Sequence, residues 1–353
     1  MSRFFSFIAC ALAGGFGLLA LTTCQPSLEP YQTDRFELSA APAAAEGYPM
    51  EVVEGRFTTS DGGSFPVSGG FLEGDWGLSH VGYVSGDGTA PAPDSLEVRW
   101  FSYAEDKFYE GHFLLPQQRI HDLLKQGYWN NIDKKSETYD ALTVCLLPKG
   151  VVVVWLSGRN QVLLGRYEGR EILFDFKRFN EAANRPRMIQ QEQAKLPPAV
   201  QQQIRTGTLS TAQWDAYLQK YPWKLAFSQP LKLYDYGITY LNAEKTSYPQ
   251  TREVTTYTNY TKILLEYSRK SVPRSFVLWV DAGYGRKRQI QVKPFNEAET
   301  LSAFQTLHAA NPTLPLTLYV ETDERVDKAR LFLQNDRQRV ELTKSPIALY
   351  DAE

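Results

Sequence analysis

Polarity along the chain changes character twice. An unbroken apolar run from Phe4 to Leu21 opens it, a stretch without periodicity follows to about Gly47, and from Tyr48 onward apolar and polar residues alternate in short runs. Alternation with period two places every second side chain on one face, the signature of half-buried strands. "YPMEVVEGRFTTSDGGSFPVSGG" alternates on both sides of Asp61-Gly62-Gly63 and predicts a hairpin. "SLEVRWFSYAEDKFYEGHFLLP" alternates through Val98, Trp100 and Ser102, turns near Glu105-Asp106 and returns from Phe108 to Leu115, predicting a second. A helix follows: Pro116 suits its first turn, Ile120, Leu123 and Leu124 share a face, and Gly127 suits its end. "ALTVCLLPKGVVVVWL" predicts two strands joined at Pro148-Lys149-Gly150, and "QVLLGRY" and "EILFDF" predict two more.

A weaker copy of this order comes about 180 residues later. "SFVLWVDAGYGRKRQIQVKP" places Trp279 15 residues before Pro294, as Trp100 lies 16 before Pro116, and both lead into a helix. In the second copy Asn296 and Glu299 have capping-box spacing, Leu301, Phe304 and Leu307 form the apolar face, and "LPLTLYV", "ARLFL" and "QRVEL" supply strands. Between the copies Ser210 and Gln213 begin a helix carrying Trp214, Tyr217 and Leu218 and stopped by Pro222, after an exposed glutamine-rich stretch. The expected fold is α+β, antiparallel and β-rich with a few helices, in two related modules. Residues 48–250 form the first and 251–353 the second, smaller one.

Composition narrows the function. Of 353 residues 43% are hydrophobic and 13% aromatic, enough for a real core and in favour of β-structure. A net charge of −2 gives no field for a phosphate backbone, so nucleic acid is not expected as a partner.

The opening apolar run follows Met1-Ser2-Arg3 and ends at Leu21-Thr22-Thr23-Cys24. That layout predicts an export signal over 1–23, and the last four residues resemble a bacterial lipobox with Thr23 in place of the usual Gly, Ala or Ser. Lipid on Cys24 would anchor the chain to a bilayer. An uncleaved anchor and cleavage to a soluble form are the other readings. Gln25 after the cysteine fits sorting to the outer membrane, facing the periplasm. Residues 24–47 then read as a flexible tether with a reach on the order of 25 to 30 Å. With Cys10 in the signal and Cys24 lipidated, only Cys145 remains, so no intramolecular disulfide is expected. Cys145 lies in an apolar run without a neighbouring cation and reads as packing.

Common catalytic signatures are missing: the sequence holds no G-x-S-x-G, P-loop, H-E-x-x-H or paired C-x-x-C pattern. His80, His112, His121 and His308 are scattered, so no metal or other cofactor is expected. Glu105 and Asp106, adjacent at a hairpin, point apart and do not form an acid/base couple. Binding is the better expectation. Trp76 lies on a glycine-rich loop. "GYWNNIDKKSETYD" offers Tyr128, Trp129 and Tyr139 among charges, the mix that interface centres favour. Tyr284, Arg286, Lys287 and Arg288 put cations beside an aromatic at a hairpin tip.

"PDSLEVRWFSYAEDKFYEGHFLLP", "LLPKGVVVVWLSG" and "TAQWDAYLQKYPWKLAF" resemble the proteobacterial envelope lipoproteins of the domain of unknown function 2931 family, over roughly Tyr48 to Pro230. The resemblance implies an envelope lipoprotein without established catalytic residues. Some relatives are encoded beside type VI secretion effectors, lipases among them, which suggests an immunity role. The expectation is a tethered, non-catalytic lipoprotein that binds a periplasmic protein such as a toxin. An uncharacterised envelope enzyme and a structural envelope component are the alternatives.

Overall fold

A computed structural model describes residues 29–74, 76–79, 84–283 and 285–352. The export signal, Cys24, His80 and Tyr284 lie outside the described residues. The chain opens with the helical turn α1 (Pro30–Thr33), then β1 (Phe36–Ala44), β2 (Met50–Thr59), β3 (Ser64–Pro66), β4 (Gly70–Leu72) and β5 (Val84–Ala90). Next come the hairpin β6 (Pro93–Ser102) and β7 (Lys107–Leu114), helix α2 (Gln117–Gln126), and the small hairpin β8 (Tyr128–Asn130) and β9 (Lys135–Glu137). β10 (Ala141–Leu146), β11 (Val151–Ser157), β12 (Gln161–Glu168) and β13 (Arg170–Ile172) close the first half. Helices α3 (Phe176–Phe179), α4 (Arg185–Lys195), α5 (Pro198–Thr206) and α6 (Ala212–Leu218) lead to the second.

The second half starts with β14 (Lys220–Phe227), β15 (Lys232–Tyr240), β16 (Lys245–Thr246), α7 (Val254–Leu265) and β17 (Ser268–Ser271). The hairpin β18 (Pro273–Asp281) and β19 (Lys287–Val292), helix α8 (Glu297–Ala310), and β20 (Leu316–Thr322), β21 (Ala329–Gln334), β22 (Arg339–Glu341) and β23 (Ile347–Asp351) complete it. The fold is α+β and predominantly antiparallel. Its largest sheet has the order β23-β19-β18-β15-β16-β12-β11-β10-β1-β5; two others run β13-β7-β6-β2-β3 and β17-β14-β20-β21-β22.

The two halves are copies of one topology. In each, a first strand pairs in parallel with the strand that follows a helix: β1 with β10 after α2, and β14 with β20 after α8. In each, a second strand pairs antiparallel with a hairpin, β2 with β6–β7 and β15 with β18–β19. The match extends to register. Val52 faces Trp100, a bulge follows, and Glu54 faces Arg99; a second shift separates Thr58 from Thr59, which faces Pro93. Leu233 faces Val280, a bulge follows, and Asp235 faces Trp279; a second shift separates Thr239 from Tyr240, which faces Pro273. Two bulges at corresponding places re-aim the strand in the same way twice.

This register corrects three expectations. Trp100 corresponds to Val280 and Trp279 to Arg99, so the tryptophan match is one residue out. Because strand side chains alternate, Trp100 faces the core and is fully buried while Trp279 faces outward and is half-buried. The boundary expected at 250/251 does not divide the fold: β14 and β15, before it, pair with β17, β18 and β20, after it. The second copy begins at Lys220. The tether expected over 24–47 contains β1, whose Leu38, Ala40, Ala41, Ala43 and Ala44 are buried between β10 and β5.

One hydrophobic cluster runs through both copies. At the junction Trp155 is fully buried, its indole N–H donates to the carbonyl of Asn242 (2.9 Å), and Trp76 packs edge-on against it at 4.9 Å. Gln161 donates to the carbonyls of Gly77 and Ala243 (2.9 Å each). A satellite cluster of Phe101, Tyr103, Phe108 and Ile189 is covered by Phe174, Phe176 and Phe179, so α3 and α4 close the tip of the β6–β7 hairpin. The glutamine-rich stretch is therefore helical, and Gln193 ties it down by donating to the carbonyls of Tyr103 and Ala104. At α8 the Asn296 side chain accepts from Glu299 N as expected of a cap, but the Glu299 carboxylate accepts from Lys344 N instead of completing the box.

Candidate functional site

The repeated topology supplies an internal comparison, because the paired positions on the outer face of one hairpin sheet have counterparts on the other. In the first copy that face is charged and self-neutralising. Arg99 bonds to Glu54 (2.6 Å) and Glu110 (3.1 Å), Arg170 to Glu110 (2.6 Å), and Glu97 takes both Arg56 (2.5 Å) and His112 (3.2 Å). In the second copy the same rows read Asp235, Trp279, Gln289 and Tyr350, then Gly237, Val277, Gln291 and Ala348. Trp279 stands where the first copy has Arg99, and Val277 where it has Glu97. Tyr350 is 50% exposed beside them.

A third row extends this face. Thr239 lies between Lys245 on β16 and Ser275 on β18, and Lys293 continues β19 directly after Val292, which faces Phe276. In the first copy the corresponding hydroxyls of Thr58 and Ser95 bond to Asp94. Among the described residues neither Thr239 nor Ser275 has a side-chain hydrogen bond, and neither Lys245 nor Lys293 has an ion pair.

The groove over these rows has a volume of about 400 Å³, and the first copy helps to build it. The hairpin β8–β9 has no counterpart after α8. It reaches across the junction, where Trp129 N donates to the carbonyl of Pro249 (2.6 Å) and Asn131 donates to Asp235 (3.2 Å). Ile132, 73% exposed, lines the groove from above. Clefts where two folding units meet are favoured sites for ligands.

Asp235 carries the strongest electrostatic signal here. Burial pushes its carboxyl up to about 6, against hydrogen bonds from Tyr236 N and Asn131 that favour the charged form. Between pH 4 and 6 the folded state therefore holds a proton at Asp235 that the unfolded state has released, so this group's own contribution to folding stability falls as pH rises through that window and levels off above it, opposite in sign to carboxylates such as Asp61 and Glu110 that ion pairs and hydrogen bonds hold below their ordinary range. Urea midpoints from pH 4 to 7 test this: Asp235→Asn should remove that contribution from the slope, and an unchanged slope would count against it.

The aromatic anchors expected from the sequence are mostly interior. Trp76 is buried and donates its indole N–H to the carbonyl of Leu241 (2.7 Å). Tyr128 is buried, donates to the carbonyl of Thr138 and accepts from Arg159 N; Tyr139 packs edge-on against it. Trp129 is half-buried under the Arg252 guanidinium at 5.6 Å. These residues hold the loop; Asn131 and Ile132, between them, reach the groove. At the hairpin tip Arg288 is spent on Asp327, Asp351 and the carbonyl of Val326, Lys287 lies 5.9 Å from the Tyr234 ring centre, and Arg286 is exposed.

The remaining candidates serve structure. Glu105 accepts from Ser102, Tyr109 and Lys149 N, while Asp106 pairs with Arg185 (2.8 Å), so the two carboxylates do point apart. Cys145 is wholly buried, and burial pushes its thiol up to about 12. His121 is clasped between Asp34 and Asp122, and His308 packs against Tyr221. No group of three metal-ligating side chains occurs among the described residues. Asp235, Thr239, Lys245, Ser275 and Lys293 escaped sequence reading. The alternation of "KLYDYGITY" marks a strand, and a carboxylate among its aromatics was the available signal.

The family model described as "Protein of unknown function (DUF2931)" matches residues 25–211. No curated protein and no solved structure matches the chain. The matched segment spans the first copy and helices α3 to α5 and stops just before α6, so the second copy repeats the topology outside the match.

Proposed function

We propose that this chain, which belongs to the DUF2931 family, is a non-catalytic binding protein whose second copy carries the recognition face. The divergence of that face carries the reading. One copy keeps a closed lattice of ion pairs, whereas the other presents Trp279 and Ile132 at the groove and Tyr350 further along the same face, near lysines without an ion pair and hydroxyls without a side-chain hydrogen bond among the described residues. An aromatic centre with a polar surround is what protein interfaces concentrate.

The setting proposed is the cell envelope, with Cys24 acylated and the body facing the periplasm from the outer membrane, and the partner is a periplasmic protein. The lipobox-like Leu21-Thr22-Thr23-Cys24 supports the anchor. The family resemblance extends the proposal to an immunity protein that covers the active site of a type VI secretion effector such as a lipase. Fatty-acid labelling that disappears in Cys24→Ala, and protection of cells producing any toxic effector that an adjacent gene encodes, test these two parts.

Photo-cross-linking tests the recognition face. A cross-linking residue at position 132 or 350 should give the same discrete protein adduct, and one at Leu114, 77% exposed on the first copy, should not. Trp279→Ala should reduce that adduct about tenfold or more, as loss of an interface anchor does, with the thermal midpoint little moved. Equal adducts from all three positions, or none, would count against the reading.

A further inference from the structure

The row Lys245, Thr239, Ser275, Lys293 says what kind of segment the groove accepts. Four neighbouring strands contribute one member each, so two ammonium groups flank two hydroxyls across the sheet, with strands spaced about 4.8 Å apart. Every member carries a group able to donate a hydrogen bond. The nearest carboxylate in the groove, Asp235, is already engaged by Asn131 and Tyr236 N, which leaves the lysines without an internal counter-charge. One row further along Val277 is buried, and beyond it the half-buried Trp279 offers apolar surface. In the first copy Ser64 and Leu114 stand where the lysines are, and Glu97 and Arg99 stand where Val277 and Trp279 are. The charge of the row and the apolar platform beside it are thus both particular to the second copy.

Resting on the binding function proposed above, we infer that the groove takes an acidic segment of a protein partner. Its Asp or Glu carboxylates accept from Lys245, Lys293 and the hydroxyls between them, and an apolar or aromatic side chain a few residues away lies on Trp279. Charge complementarity selects this occupant: a basic segment would meet two like charges, and an uncharged one would leave both lysines desolvated without a partner.

Panning a random twelve-residue peptide library against the purified protein tests this without knowledge of the natural partner. Enriched peptides should carry two or more acidic residues beside an apolar one, and their affinity should fall with added salt. The pair Lys245→Gln and Lys293→Gln should weaken a selected peptide about tenfold or more. Changes at the corresponding first-copy positions, Ser64→Ala and Leu114→Ala, should leave it unaltered. Unchanged near-ultraviolet circular dichroism shows that each variant is folded.

Enrichment of basic or uncharged peptides, no enrichment, or affinity indifferent to both lysines overturns the inference. Cross-linking from positions 132 and 350 can still succeed in that case, so failure of the acidic segment and failure of the recognition face are separate results.

Discussion

Deleting residues 36–44 should abolish the cooperative unfolding transition, whereas deleting only 29–34 should leave a folded protein. β1 lies inside the largest sheet, not beside it, with six residues of parallel ladder to β10 on one edge and antiparallel pairing to β5 on the other. Its removal strips β10 of a partner along its whole length, leaving buried amides and carbonyls without hydrogen bonds, each at a cost of about 1–3 kcal/mol. Against a total stability of about 5–15 kcal/mol that loss is not survivable. Urea titration followed by circular dichroism distinguishes the two deletions. A sharp transition in the longer deletion would show that the segment is the linker its composition suggests.

The second large effect is expected at Trp155. Truncation to Ala should cost about 3–5 kcal/mol for the cavity alone, and more because the Asn242 carbonyl and Trp76 both lose a partner. Trp155→Phe fills most of the volume and should recover over half of the loss, leaving chiefly the missing N–H donor. The site joins the two copies: Trp155 lies on β11 of the first and Asn242 follows β15 of the second. Both copies should therefore unfold together in the wild type. A destabilised Trp155→Ala should show two resolved steps if each copy folds independently, and one if the junction is needed by both. Differential scanning calorimetry reads this directly, and a stability change below about 1 kcal/mol would contradict the packing described.

The sequence revealed two related modules but not their register, and the reason lies in two strands. Both hairpins alternate visibly, both helices carry apolar faces, and the strands after them read correctly. The opening strand of each copy was missed. β1 is "FELSAAPAA" and β14 is "KYPWKLAF"; Ala and Pro are poor strand formers, and both segments are strands because a partner across the sheet makes them so. Without those strands the first module began too late at 48 and the second too late at 251. Long-range pairing leaves no local trace, and the same limit hid the groove, whose members come from β15, β16, β18, the end of β19 and the β8–β9 loop. The tyrosines and Trp76 misled because aromatic residues in loops have the same composition whether they face a partner or fasten the loop inward.

The two copies join head to tail, edge strand β12 of one meeting β16 of the other at Gln161 and Lys245. Such a joint does not close on itself. β22 stands where β12 stands, and β3 where β16 stands, so the same contact made between molecules would propagate into a filament. Pro66 at the end of β3 has no amide hydrogen to offer, and Arg339 and Glu341 of β22 are tied to Glu321 and Arg330, so a newcomer would have to break charged pairs to dock. Were the chain held at a bilayer as proposed, such termini would keep neighbouring copies dispersed.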